Sequence, residues 1–272
     1  MTNNPKIIRG AGGPPPPSSP PQPTRTPDTL HSRQFATLLD LISEGEIEGF
    51  ATASKAGLTK GTTAYNNAAL KDIFLNDTAI LQSSASNTSP ASTDFNFQDV
   101  SFTPRFGTSN QEHISGIESS QSINPVGVTV TNSTPVTRTI SNSDIDAVKV
   151  TVTFPQIQVA TDAGDLLGSS VNLQIQIQYN GGGFTTLIDD TITGRTADAY
   201  QKEYRINVTG SFPVDVKVVR VTADSTSDST INSFQFTSFT EIIDDKQTYL
   251  NSAYASLRLD SQQFSSIPSR KY

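Results

Sequence analysis

Two spacings of apolar residues run through this chain, one helical and one of period two. In the stretch SRQFATLLDLISEGEIEGF, Ser32 to Phe50, the residues Phe35, Leu38, Leu39 and Ile42 stand at i, i+3, i+4 and i+7. That puts four apolar side chains on one helical face, with Ser32 placed to cap the start. The spacing predicts a helix over residues 32–43, ended at Gly45. A helix of about three turns has little stability alone, so this one has to lie against a sheet of its own chain or a neighbouring subunit. Phe35, Leu38, Leu39 and Ile42, with Glu44, Glu46 and Glu48 in the acidic turn that follows, are the candidate docking residues.

Beyond this stretch the period is two. Leu70 to Leu81 reads as a hairpin turning at Asn76 and Asp77, and Phe95, Phe97, Val100 and Phe102 mark two short extended pieces before Pro104. These strands are too few to close a sheet and need completion from elsewhere. From Val126 the alternation strengthens. Val148, Val150, Val152 and Phe154 interleave with Lys149, Thr151 and Thr153; Val171, Leu173, Ile175, Ile177 and Tyr179 interleave with Asn172, Gln174, Gln176 and Gln178. The run Asn180 to Gly183 supplies a hairpin turn and Phe184 to Ile188 the return. Tyr204–Val208, Val214–Val221 and Phe234–Ile243 follow, making roughly seven strands in about 120 residues, the pattern of a β-sandwich. In Val214–Val221 the parity of the valines changes, which predicts a bulge or a strand buried on both faces. Ala253, Ala255, Leu257 and Leu259 form one more strand.

Composition agrees with sheets. Only 34% of the 272 residues are hydrophobic, so the core has to be thin or divided. There is no cysteine, hence no disulfide and no thiolate metal site. No stretch approaches the roughly 18 consecutive apolar residues of a membrane span, and the amino terminus is polar and rich in proline where a signal peptide is apolar. Residues 1–30, containing GAGGPPPPSSPPQPTRTP, form an arm, either a tether or a docking segment. A net charge of −7 argues against specific nucleic-acid binding, which needs clustered Lys and Arg.

Candidate chemistry is sparse. His31 and His113 are the 2 histidines, and neither has a second ligand at metal-binding spacing. Glu44, Glu46 and Glu48 on an extended segment could hold a cation, but the flanking glycines favour a structural or interface role. Asp224 and Asp228 lack the glycine and bidentate glutamate of a calcium loop. Gly181 to Gly183 lies between strands and opens no helix, so it builds no phosphate site. With no tryptophan and 7 tyrosines, aromatic platforms for sugars are few. No catalytic residue, cofactor or metal is expected.

Four stretches carry a resemblance: LLDLISEGEIEGF (Leu38 to Phe50), RFGTSNQEHISG (Arg105 to Gly116), PVTRTISNSDIDAVKVTV (Pro135 to Val152) and FTEIIDDKQTYLNSAYASLRLDSQQF (Phe239 to Phe264). In this order they are similar to the opening part of the J family of tail tip attachment, or host-specificity, proteins of lambda-like long-tailed phages. The similarity runs from about Leu30 to Tyr272, leaving out the loops 51–67 and 83–92. The resemblance implies a mainly β chain: an arm over 1–30, an incomplete tail-hub β domain over 31–125 with one short helix, an inserted antiparallel β-sandwich over 126–243, and a return to the hub over 244–272. It implies a structural virion component rather than an enzyme, made in the host cytoplasm and placed at the distal end of the tail. The expected partners are two further copies in a homotrimer, other tail tip and tail tube proteins, and a host surface receptor reached through a C-terminal region beyond this sequence. DNA passing through the assembled channel would meet an acidic lumen. The alternative is a glycan- or protein-binding sandwich acting in adsorption, with a peptidoglycan-degrading tail enzyme as a third reading.

Overall fold

A computed structural model describes residues 23–264 and 266–272. In chain order the elements are β1 (Phe35–Glu44), α1 (Ala51–Lys55), α2 (Thr63–Ala69), β2 (Phe74–Leu75), β3 (Thr78–Ala79) and β4 (Ser101–Phe106). They continue with β5 (Glu118–Val130), β6 (Val136–Ile140), β7 (Ala147–Phe154), β8 (Gln158–Ala160), β9 (Leu166–Leu167), β10 (Ser169–Tyr179) and β11 (Thr185–Gly194). The last are β12 (Tyr200–Asn207), β13 (Val214–Arg220), β14 (Thr230–Ile231), β15 (Phe234–Asp244), β16 (Ser252–Asp260) and β17 (Arg270–Lys271). The chain is mainly β, as its alternation predicts.

Two four-stranded antiparallel sheets, ordered β11-β10-β13-β6 and β12-β7-β15-β5, enclose the larger core. Val171, Leu173, Ile175 and Ile177 of β10 and Val214, Val216 and Val218 of β13 point inward from one sheet; Val148, Val150, Val152 and Phe154 of β7 answer from the other. Removing each such side chain from water is worth about 1.5–3 kcal/mol. In β15 the register slips between Phe236 and Ser238. That bulge resets the parity, so Phe234, Phe236 and Phe239 all reach the core.

Neither the bulge nor the full burial of both faces expected as alternatives for Val214–Val221 is found. β13 pairs in unbroken register with β10 and β6, and its alternation is strict because the fourth inward position is Arg220. The guanidinium is buried yet satisfied by the carbonyls of Thr222, Ala223 and Asn232 and by Asn232 Oδ1. Val221 simply faces solvent.

The smaller core lies under a three-stranded sheet ordered β1-β16-β4. Ala255, Leu257 and Leu259 of β16 pack there with Phe50, Ala53, Tyr65, Ile73, Leu75 and Ile80 from the helices and the β2–β3 hairpin. The hairpin turns at Asn76 and Asp77, both with positive φ, as the sequence predicts. β17 joins its other side through β2. The helices fall in the segment 51–69, where Thr62 caps α2 by accepting from the Tyr65 amide at 3.2 Å.

The helix expected over residues 32–43 is a correction: the segment is the strand β1, paired antiparallel with β16 from Phe35↔Asp260 to Glu44↔Ser252. A short isolated helix would satisfy only its own backbone, whereas the ladder with β16 fixes nine residue pairs and buries one face. Ser32, instead of capping a helix, accepts from the Gln201 amide at 2.9 Å. Of the expected arm, residues 1–22 lie outside the described residues. Pro23–Leu30 runs along the sandwich, joined to Leu166 by paired backbone bonds of 2.9 Å.

Candidate assembly interface

The strand geometry divides the seven candidate docking residues between two faces. Leu38, paired with Leu257, turns toward the smaller core, and Ile42 packs there as well. Phe35 and Leu39 occupy the opposite face, where they are exposed, and Leu41 stands beside them with 63% of its surface open. Leu41 fell off the helical face in the sequence; strand parity would have grouped it with Phe35 and Leu39. A register shift between Leu41 and Ser43 puts the extra residue at Ile42, which returns Glu44 to the side of Leu41.

Among the described residues β1 pairs with β16 alone, which leaves its other edge open. Other edge strands carry devices that discourage pairing: Pro104 in β4, Pro125 in β5, and outward charge in β12. β1 has neither proline nor lysine. Its one mid-strand charge, Asp40, is turned inward and held by Arg270 at 2.6 and 2.9 Å and by the Tyr272 hydroxyl. The Arg270 bonds, outweighing partial burial, hold the Asp40 carboxyl below its ordinary range, with Tyr272 adding to the effect. The Tyr272 phenol is pushed up by burial and by its bond to Asp40.

After β1 the acidic turn is fastened from behind. Ile47 donates to the Phe106 carbonyl at 2.9 Å. Gly49 has φ +135°, and any side chain there would run into the Tyr65 hydroxyl, which accepts from the Phe50 amide at 3.0 Å. Asp72 accepts from the Thr52 amide and hydroxyl at the start of α1. Glu44, Glu46 and Glu48 are all exposed, alternating with half-buried Gly45, Ile47 and Gly49. The backbone that bears the three carboxylates is thus rigidly placed at the end of the open edge.

At the Phe35 end, the outer face of β1 borders a cleft of about 780 Å³ shared with the sandwich. Four of the five cations that line it are matched by carboxylates, Arg33 by Asp99, Lys149 by Glu118 and Glu203, Lys202 by Asp190, and Arg205 by Asp244, while the fifth, Arg258, lies over the Phe35 ring at 3.4 Å from its centroid. Charge there stitches the walls together rather than gathering an anion. Among the described residues, no group of three or more His, Asp or Glu could hold a metal ion, and no helix is long and apolar enough to cross a membrane. On the sandwich, Phe184 is covered by the Lys217 ammonium at 3.7 Å, not left as a bare platform.

Residues 120–245 match the family described as Tip attachment protein J, FNIII-A domain. The chain is 32% identical over 250 residues to Tip attachment protein J of Escherichia phage SECphi4, an alignment covering 90% of this chain and 20% of that protein. With Tip attachment protein J of Escherichia phage SECphi27 it shares 26% identity over 196 residues, 72% of this chain and 16% of that one. The chain therefore spans about a fifth of the length of these relatives. A solved structure described as "CBM4 structure and function" aligns with 49% of this chain and 74% of its own at 10% identity, with a TM-score of 0.20; so low a score carries no argument.

Proposed function

We propose, for this phage tail tip protein of the tip attachment protein J family, a structural role in assembling the tip, with β1 as the strand that receives a neighbouring subunit. The open edge of β1, with Leu39 and Leu41 exposed beside it, carries this reading. An extended segment of a neighbour would satisfy the free backbone groups along β1 and cover the leucines, the physics of strand addition. Glu44, Glu46 and Glu48 would then form the polar rim.

In this reading the smaller core is the hub portion and the sandwich is inserted into it, as expected for 31–125 with 244–272 and for 126–243, with the β5–β15 ladder carrying the sandwich out to Glu118 and Asp244. Three copies around the tail axis would bring the edges of their hub sheets together, and the −7 charge suits a lumen that does not retain DNA. Host attachment belongs to the complete protein and to regions beyond this sequence. The test is the double substitution Leu39→Lys with Leu41→Lys in an infectious phage. Both sites face solvent, so the isolated chain should keep its stability within about 0.5 kcal/mol, while tails lack a functional tip. Normal tails from the folded variant would overturn the assignment.

A further inference from the structure

The sandwich also grips the residues just before β1. Thr26 donates to the Leu166 carbonyl and Leu166 donates to the Thr24 carbonyl, both at 2.9 Å, and Arg25 forms a parallel bridge with Leu166. The segment thereby adds a strand to the small sheet β14-β8-β9 at its β9 edge. Thr24 also donates its amide to the Asp165 carboxylate. Four residues on, Asp28 meets the guanidinium of Arg195, a side chain only 2% exposed that also donates to the Thr26 carbonyl at 3.0 Å. The Arg195 carbonyl accepts from the amides of Thr29 and Leu30 at 2.9 and 3.3 Å. Its amide donates to Thr29 Oγ1 at 3.2 Å. Leu30 then packs on the sandwich core.

This is more than a chain lying on a surface. Backbone pairing, a buried cation opposite one carboxylate, a two-pronged carbonyl and an apolar anchor follow one another within Pro23–Leu30. The wall is cut to fit: at Gly194 a Cβ would lie 2.9 Å from Leu30 Cγ and closer still to Thr29 Oγ1. A buried arginine is expensive without an anion, so the groove is selective for a segment that brings a carboxylate to Arg195. We infer that the sandwich carries a peptide-recognition groove centred on Arg195, specific for an extended segment that places a carboxylate opposite that arginine, and that the chain's own Pro23–Leu30 occupies it as a latch. Since Ser32 and β1 follow immediately, the latch fixes where the sandwich stands relative to the strand that we assign to docking. The groove itself does not depend on that assignment, because its contacts are independent of β1.

The experiment uses the full chain carrying Asp28→Arg, which sets like charges against each other, and a labelled synthetic peptide of residues 23–31. Hydrogen exchange should show the amides of Thr26, Thr29 and Leu30 at least about tenfold less protected than in the unaltered chain, with β10 and β13 unchanged. The emptied groove should then bind the peptide, and bind its Asp28→Asn version about tenfold more weakly. The unaltered chain, already filled, should bind neither. The inference fails if the Asp28→Arg chain keeps full amide protection over residues 26–30, if it takes up no peptide, or if it takes both peptides equally. Failure here with β1 docking intact would remove the latch alone.

Discussion

The sandwich and the smaller core use the same kind of strand but differ in where each strand finds its partner. Every principal ladder of the sandwich closes between Glu118 and Asp244, and its inward valines and isoleucines alternate cleanly enough to specify register by themselves. The smaller sheet joins β1 to β16, so Phe35 has to meet Asp260 across the whole intervening chain. Its strands are completed by distant partners on one side and, at the open edge of β1, by none among the described residues. The first region is a self-contained body; the second offers an unfinished sheet to its surroundings.

The largest effect should come from cutting a cavity in the smaller core. Leu257 is fully buried, and Leu257→Ala should cost about 2–4 kcal/mol. If the two cores differ as described, hydrogen exchange will show the loss in β1, β4 and β16 while β7, β10 and β13 keep their protection. A uniform loss across both would merge them into one cooperative unit.

Less costly is the loss of the inward charge of β1. Asp40→Asn removes two charge-assisted bonds to Arg270 and should destabilise by about 1–2 kcal/mol, measured by denaturant titration and concentrated in β1 and β17. The pH dependence has a definite sign. Because Asp40 has a depressed carboxyl value in the fold, its contribution is complete above the ordinary carboxylate range and disappears as pH falls through the folded value. The gap between the native chain and Asp40→Asn should therefore close on acidification and stay constant near neutrality. A gap that widened in acid would contradict the assigned pairing.

Much of the sandwich is legible because its signal is local: β7 and β10 alternate over their whole length and Asn180–Gly183 is a recognisable turn, as Asn76–Asp77 is in the smaller core. Arg220 hid the true parity of β13, since an inward arginine with satisfying carbonyls looks polar in a sequence. For β1, Phe35, Leu38, Leu39 and Ile42 fit a helix as well as a strand over so short a span, and the ladder that decides between them comes from residues 252–260. The four residues expected on one face are split by the strand between two: the outward set is Phe35, Leu39 and Leu41, whereas Leu38 and Ile42 serve the core. The α1 and α2 segment gave no helical period to read, its helices being only 5 and 7 residues long. Arg195 carried no local signal, because its carboxylate partner stands 167 residues away.

The absence of cysteine allows the docking assignment to be tested at a single atom. Leu41→Cys, on the open edge, and Leu187→Cys, at a sandwich position 46% exposed, can each be labelled with a maleimide in the free chain and in assembled tail tips. Both should react readily in the free chain. In assembled tips the Leu41→Cys thiol should be shielded while the Leu187→Cys thiol remains reactive; equal labelling of Leu41→Cys in both states would contradict the role given to β1.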